Sequence, residues 1–237
     1  MEEIGPGISA LQLFVGLEGI SQELVPCVYA FRLMGGLLCA GVNIVLWRVL
    51  RKESAAKSQR LLAALAIADA SFATAIAIVG GYLLVMMALG LEHGLWACLI
   101  PWAAISASST VSAVFYLALA TDRLLLLRFP IPYQCWDDGR YANCWRALAL
   151  LAGGSIAAGC LLLRQEQLFN GICDMSTINA KIMDSIFAAL HMLLVGGVLL
   201  ASLATLRMSQ APGFNSMSKR RKRLAESLRI ILALYLT

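Results

Sequence analysis

Between Gly94 and Thr121 the chain runs for 28 residues without a charge, and the run then meets Asp122 and Arg123 side by side. Wound as an α-helix, the 25 steps from Cys98 to Arg123 rise about 37 Å at ~1.5 Å per residue, close to a bilayer core plus part of its headgroup zones. Such a helix holds a cysteine at one membrane face and an acid-base pair at the other. Composition decides that the bilayer is the solvent. Of the 237 residues 60% are hydrophobic and only 14% charged, with a mean hydropathy of +0.77, whereas soluble domains carry about 25% charged residues.

The remaining apolar runs set the architecture. Pro26 to Trp47 is broken only by Arg32, close enough to one end to snorkel toward headgroups. Leu61 to Leu91 holds one charge, Asp69; an acid inside a membrane costs roughly 2.5 kcal/mol or more, so it should face the bundle interior and polar partners. Ala147 to Leu163 is just long enough for a span and rich in Gly, Ala and Ser, which suits close helix packing. Ser185 to Leu206 follows, with Asp184 at its start and His191 inside it, and SLRIILALYLT begins another apolar helix. The expected fold is an all-α membrane protein, an antiparallel helix bundle with spans near 26–48, 61–90, 95–127, 144–163 and 182–207 and an incomplete one at 227–237. Residues 1–25 read as an extracellular tail.

Charge orients the bundle. The net charge is +5, but 16 of the 19 basic residues fall in the connections on one side of it, leaving Arg32, Arg164 and Lys181 on or near the other. The positive-inside rule puts the basic side in the cytoplasm and the acidic N-terminus outside, most simply at the plasma membrane. Bases in short clusters between apolar runs are loops, not a nucleic-acid surface. The first 31 residues lack Lys and Arg, so no cleavable signal peptide is expected and the first span targets the chain.

Little else in the chain carries chemistry. The seven cysteines show no CxxC spacing and no histidine nearby, so neither a zinc site nor any other metal centre is expected. No nucleophile sits at workable spacing from a base and no phosphate-cradling loop is present, so the chain does not read as an enzyme. Asp69 and His191 could instead form an ion relay in a small transporter-like bundle, but such proteins show internal repeats and none is visible. A membrane scaffold without ligand is the remaining alternative.

Four features in order carry a resemblance: GVNIVL with Asn43, LAIAD with Asp69, Cys98 opening the long run, and TDRL with Pro130 and Tyr133 closing it. Together with the Cys98-to-Arg123 spacing, they resemble the rhodopsin-like G-protein-coupled receptors. The form DRLLLLRFPIPY, with Leu after the Arg, looks like the nematode serpentine chemoreceptors of the Srsx type.

That resemblance implies a receptor that binds an extracellular small molecule or peptide and activates a heterotrimeric G protein. It implies an activation switch at Asp122 and Arg123, with Glu226 as the acid of the sixth helix, and a mid-membrane polar cluster of Asn43, Asp69 and Ser112 that holds a sodium ion at Asp69. A disulfide between Cys98 and Cys173 and a ligand pocket lined by Ile105, Ser106 and Ser109 are further implications. Ile105 stands where amine receptors carry Asp, which argues against a cationic amine. Gly196 and Gly197 replace the family's usual proline in the fifth helix, and Trp145 stands a few residues early in the fourth. The chain ends at Thr237, before the sixth-helix Trp-Pro kink and the seventh-helix Asn-Pro motif, so the expectation is a truncated receptor, which as a fragment could act as a dominant-negative partner.

Overall fold

The computed structural model describes residues 25–52, 57–91, 95–163 and 181–210. Apart from short turns and bends between helices their secondary structure is helical, with no strand among the described residues. The helices are α1 (Val25–Lys52), α2 (Lys57–Leu89), α3 (Leu95–Arg128), α4 (Pro130–Cys135), α5 (Asp138–Leu162) and α6 (Lys181–Gln210). All but α4 are long and apolar enough to cross a membrane. The last apolar segment, Glu226, Cys173 and the N-terminal tail lie outside the described residues.

In a bilayer, helices gain little from hiding apolar surface from one another, because lipid tails are as apolar as leucine; close packing of small residues decides which faces meet. On α1, a Cβ at Gly36 would fall 2.6 Å from the Ala73 carbonyl oxygen and 2.9 Å from the Ala77 Cβ. Gly80 of α2 answers it, with the Tyr29 carbonyl oxygen and the Leu33 amide at 2.8 Å. Residue 36 meets 73–77 while residue 80 meets 29–33, so the two helices run antiparallel. The same device joins α5 to α3, where Gly153 lies against Ala107 and Val111, and α5 to α6, where Gly159 lies against the Met183 thioether.

α3 is the hub. It packs against α2, α5 and α6, whereas α1 packs chiefly on α2. More than half of its membrane window is buried (56%), against 11–28% in the other spans. The main core forms where Leu61, Leu65 and Ala68 of α2 meet Val114, Phe115 and Ala118 of α3 and Ala149 of α5.

The PIPY stretch forms α4, with Pro130 in its first turn, where a missing N–H costs nothing. The Asp-Asp-Gly sequence, which reads as a turn within a loop, opens α5 directly: Asp137 is the N-cap and its carboxylate accepts the Arg140 amide at 2.8 Å. Helix α5 therefore starts at Asp138, six residues ahead of the span expected from 144. The local reason is that an Asp before a helix does for its first turn what it does for an Asx-turn.

Candidate functional site along α3

Residues named by the sequence fall at three depths on α3. At the outer end Cys98 is buried and disulfide-bonded. Cys27, Cys39, Cys135, Cys144 and Cys160 form no disulfide, and the expected partner Cys173 is outside the described residues.

Two to three turns further in come Ile105, half-buried, Ser106, fully buried, and Ser109, half-buried. Ser106 Oγ and Trp102 Nε1, one helical turn apart, are buried with no hydrogen-bond partner among the described residues. Buried polar atoms of this kind cost about 1–3 kcal/mol each until something satisfies them. Ser109 Oγ lies 3.0 Å from the Ser106 carbonyl oxygen, to which it donates, and 3.4 Å from His191 Nε2 of α6. His191 Nδ1 is 3.1 Å from the Phe187 carbonyl. If Nδ1 carries the proton that this carbonyl accepts, Nε2 can only accept, and the single Ser109 proton is shared between two acceptors. His191 thus joins α3 to α6 through Ser109. From the sequence it stands only as a candidate relay partner of Asp69, and nothing in the spacing of α6 marks Ser109 as its partner.

At mid-depth Asp69 of α2 meets α3. Tyr116 donates its phenolic proton to Asp69 Oδ2 at 3.2 Å, and Ser112, one turn away on the same face, lies close enough to interact with the same carboxylate. Its Oγ is buried and makes no hydrogen bond of good geometry. The structure therefore brings Asp69 and Ser112 together and adds Tyr116, which the motif did not include. Asn43 donates instead to the Cys39 carbonyl of its own helix at 3.0 Å. Carboxylate, hydroxyl and phenol oxygens are hard donors of the kind a small hard cation takes, and the orphaned Ser112 oxygen fits that use. No cluster of three or more His, Cys, Asp or Glu occurs among the described residues.

At the inner end Asp122 is 1% exposed. Its Oδ1 accepts a hydrogen bond from the Tyr133 hydroxyl, brought back across the end of α3 by α4. Burial, and then this bond to Asp122, push the Tyr133 phenol well above its ordinary range, so it remains a neutral donor. Tyr133 also meets Tyr141 of α5 edge-on, with ring centroids 6.1 Å apart, and Tyr141 stacks similarly on Trp145. Arg123 is half-buried, and its Nε has no hydrogen-bond partner among the described residues. Glu226 lies outside them.

Five apolar helices of membrane length, of which the central α3 packs against three and carries an acid-arginine pair near its inner end, define an integral membrane protein of the serpentine receptor class. Over residues 38–237 the chain matches the family of serpentine type 7TM GPCR chemoreceptors, Srsx, and it belongs to that family. The matched range contains all of the motif residues above. Comparison with curated proteins gives no match.

Proposed function

We propose that the protein senses an extracellular small molecule or peptide and passes the signal to a heterotrimeric G protein, with its N-terminus outside the plasma membrane. The observation that carries this is the length of α3: one buried helix joins the orphaned polar atoms of Trp102 and Ser106 at one end to the Asp122–Tyr133 bond and Arg123 at the other. A ligand that satisfies Ser106 and Trp102 gains their hydrogen bonds and biases α3 against α6 through Ser109 and His191. At the inner end, Asp122 leaving Tyr133 would reset the surface around Arg123, the bistable element such a switch needs.

In this reading Cys98 pairs with Cys173 and ties the outer loop to α3, Glu226 restrains Arg123, and a sodium ion held by Asp69 and Ser112 steadies the resting state. With Ile105 and two serines on the pocket face, a neutral or weakly polar ligand is favoured over a cationic amine. An ion relay from Asp69 to His191 is disfavoured, because their hydrogen bonds go to Tyr116 on one side and to Ser109 and Phe187 on the other.

The test is a G-protein dissociation sensor in cells expressing the chain, read across a panel of neutral small molecules and peptides. Asp122→Asn should raise basal signalling and Arg123→Ala should abolish the ligand response. A sensor that responds to no ligand and to neither substitution would defeat the proposal.

A further inference from the structure

Tyr141, in the first turn of α5, buries its hydroxyl without a hydrogen bond of good geometry among the described residues. A buried phenol ordinarily has a partner. Trp145, one turn further on, meets the Tyr141 ring edge-on, with centroids 6.5 Å apart, and lies close enough for its indole to address the phenolic oxygen. An indole N–H only donates, so Trp145 can approach the oxygen of Tyr141 but can never take its proton. That proton needs an acceptor of its own.

An acceptor is at hand. Ala118 and Leu119, one turn before Asp122 on α3, belong to the core against which Tyr141 and Trp145 pack, and Tyr141 stands close enough to Asp122 to feel its charge. Tyr133 touches both: its hydroxyl is on Asp122 Oδ1, and its ring meets that of Tyr141 edge-on, with centroids 6.1 Å apart at 82°. Trp136 closes the group, 6.0 Å from each tyrosine ring. Two phenols thus converge on one buried carboxylate, and one of them holds it.

The two are carried differently. Tyr133 rides on α4, a helix of six residues whose Ile131 is 76% exposed. Tyr141 belongs to the 25-residue α5, seated on α3 at Gly153. The short helix is the element that can leave, and the long one stays. Asp122 is 1% exposed, and withdrawing a donor from a charge buried that deeply is costly. A release of α4 therefore needs a replacement donor that does not travel with it.

We propose that Tyr141 is a positioning residue of the inner switch: when α4 carries Tyr133 away, the Tyr141 side chain turns into the space that ring vacates and donates its phenolic proton to Asp122. This deepens the signalling role proposed above, and rests on it for what the released state does. Exchange of one donor for another keeps the carboxylate satisfied in both arrangements, the property a bistable element needs. Tyr133→Phe does not trigger the exchange, because the Phe ring still fills the gap. Tyr133→Ala does.

The full chain, with tyrosine isotopically labelled at Cζ and held in lipid nanodiscs, is read by solid-state NMR, the Tyr141 resonance being the one lost in Tyr141→Phe. Donation to a carboxylate moves the Cζ resonance downfield. The Tyr141 resonance should stay in place in Tyr133→Phe and move downfield in Tyr133→Ala, and the move should vanish when Asp122→Ala is added. A resonance unmoved in Tyr133→Ala, or a move that survives Asp122→Ala, overturns the proposal. Thermal unfolding is the second measurement: Tyr141→Phe should leave the melting temperature of the natural chain unchanged and lower that of Tyr133→Ala by about 3–12 °C, the shift expected for one hydrogen bond to a charged group in a chain of this size. Equal effects in the two backgrounds also overturn it. Circular dichroism reports the fold, and should Tyr133→Ala not fold, Tyr133→Val, whose side chain also ends short of the ring, decides. Neither readout involves a G protein, so the expected shifts beside a silent G-protein sensor would defeat the signalling reading and leave the donor exchange standing.

Discussion

The hydroxyl of Tyr133 donates to Oδ1 of Asp122 across the boundary between α3 and α4, fastening the short helix beneath the end of the long one. Hydrogen bonds to a charged group contribute about 1.5–3 kcal/mol, so Tyr133→Phe should lower thermal stability by that order while keeping the aromatic contacts with Tyr141. Tyr133→Ala loses those contacts as well and should cost more. The sign of the pH dependence follows from the phenol being raised above its ordinary value of 10.0. Its contribution is complete below that value and is lost only as pH rises through the higher folded one, so melting curves at neutral and mildly alkaline pH should show no loss from Tyr133. A loss near neutral pH that disappears in Tyr133→Phe would overturn this assignment.

Asp69 and Tyr116 make a second test, 3.2 Å apart between α2 and α3. A double-mutant cycle of Asp69→Asn with Tyr116→Phe should give a coupling of about 0.5–3 kcal/mol. Asn43→Ala, whose amide serves the Cys39 carbonyl, should add to either change within about 0.5 kcal/mol. Strong coupling of Asn43 to Asp69 would show that the pairing through Tyr116 is not the organising one.

These two pairs mark how far the sequence could be read. Membrane-length apolar runs announce themselves, and so do Asp69 and the Asp122-Arg123 pair, because a charge in such a run is conspicuous. Which faces meet is harder to see, since in lipid the packed and exposed faces of a helix are both apolar: Ala73 is buried and Ile78, on the same helix, is 59% exposed. Tyr116 was legible in part, standing four residues after Ser112 and so on the same face. Tyr133 closed a motif without a partner because α4 had to be known to fold back. The start of α5 was hidden for a different reason, since Asp-Asp-Gly signals a turn and a helix N-cap alike.

That N-cap has a pH signature. The Arg140 amide bonded to the Asp137 carboxylate holds it below its ordinary value of 3.8. A depressed acid contributes stability that is present above its unfolded value and lost as pH falls through the folded one. Fraying at the start of α5 should therefore appear only in acid, below about pH 4, as faster hydrogen exchange of the Arg140 amide. Asp137→Ser should keep the cap and lose the acid dependence, and Asp137→Ala should speed exchange at neutral pH. Exchange that is unchanged in Asp137→Ala would remove the cap from the account.

Two adjacent glycines on α5 offer the most direct check on how the helices are seated. A Cβ at Gly153 would stand 2.6 Å from Val111 Cγ2 and 2.9 Å from the Ala107 carbonyl oxygen, so even Ala there forces α3 and α5 apart. Overpacking of this kind costs about 1–3 kcal/mol, and because the clash includes backbone, no rotamer change relieves it. At Gly154 the same methyl enters open space, and replacing a helical Gly by Ala gains about 0.5–1 kcal/mol through the unfolded chain. Thermal unfolding in lipid nanodiscs should thus move in opposite directions for Gly153→Ala and Gly154→Ala. If both destabilise, α5 is rotated from the position described; if both stabilise, α3 and α5 do not approach at Gly153, and the seam that places α3 at the centre of the bundle is lost with it.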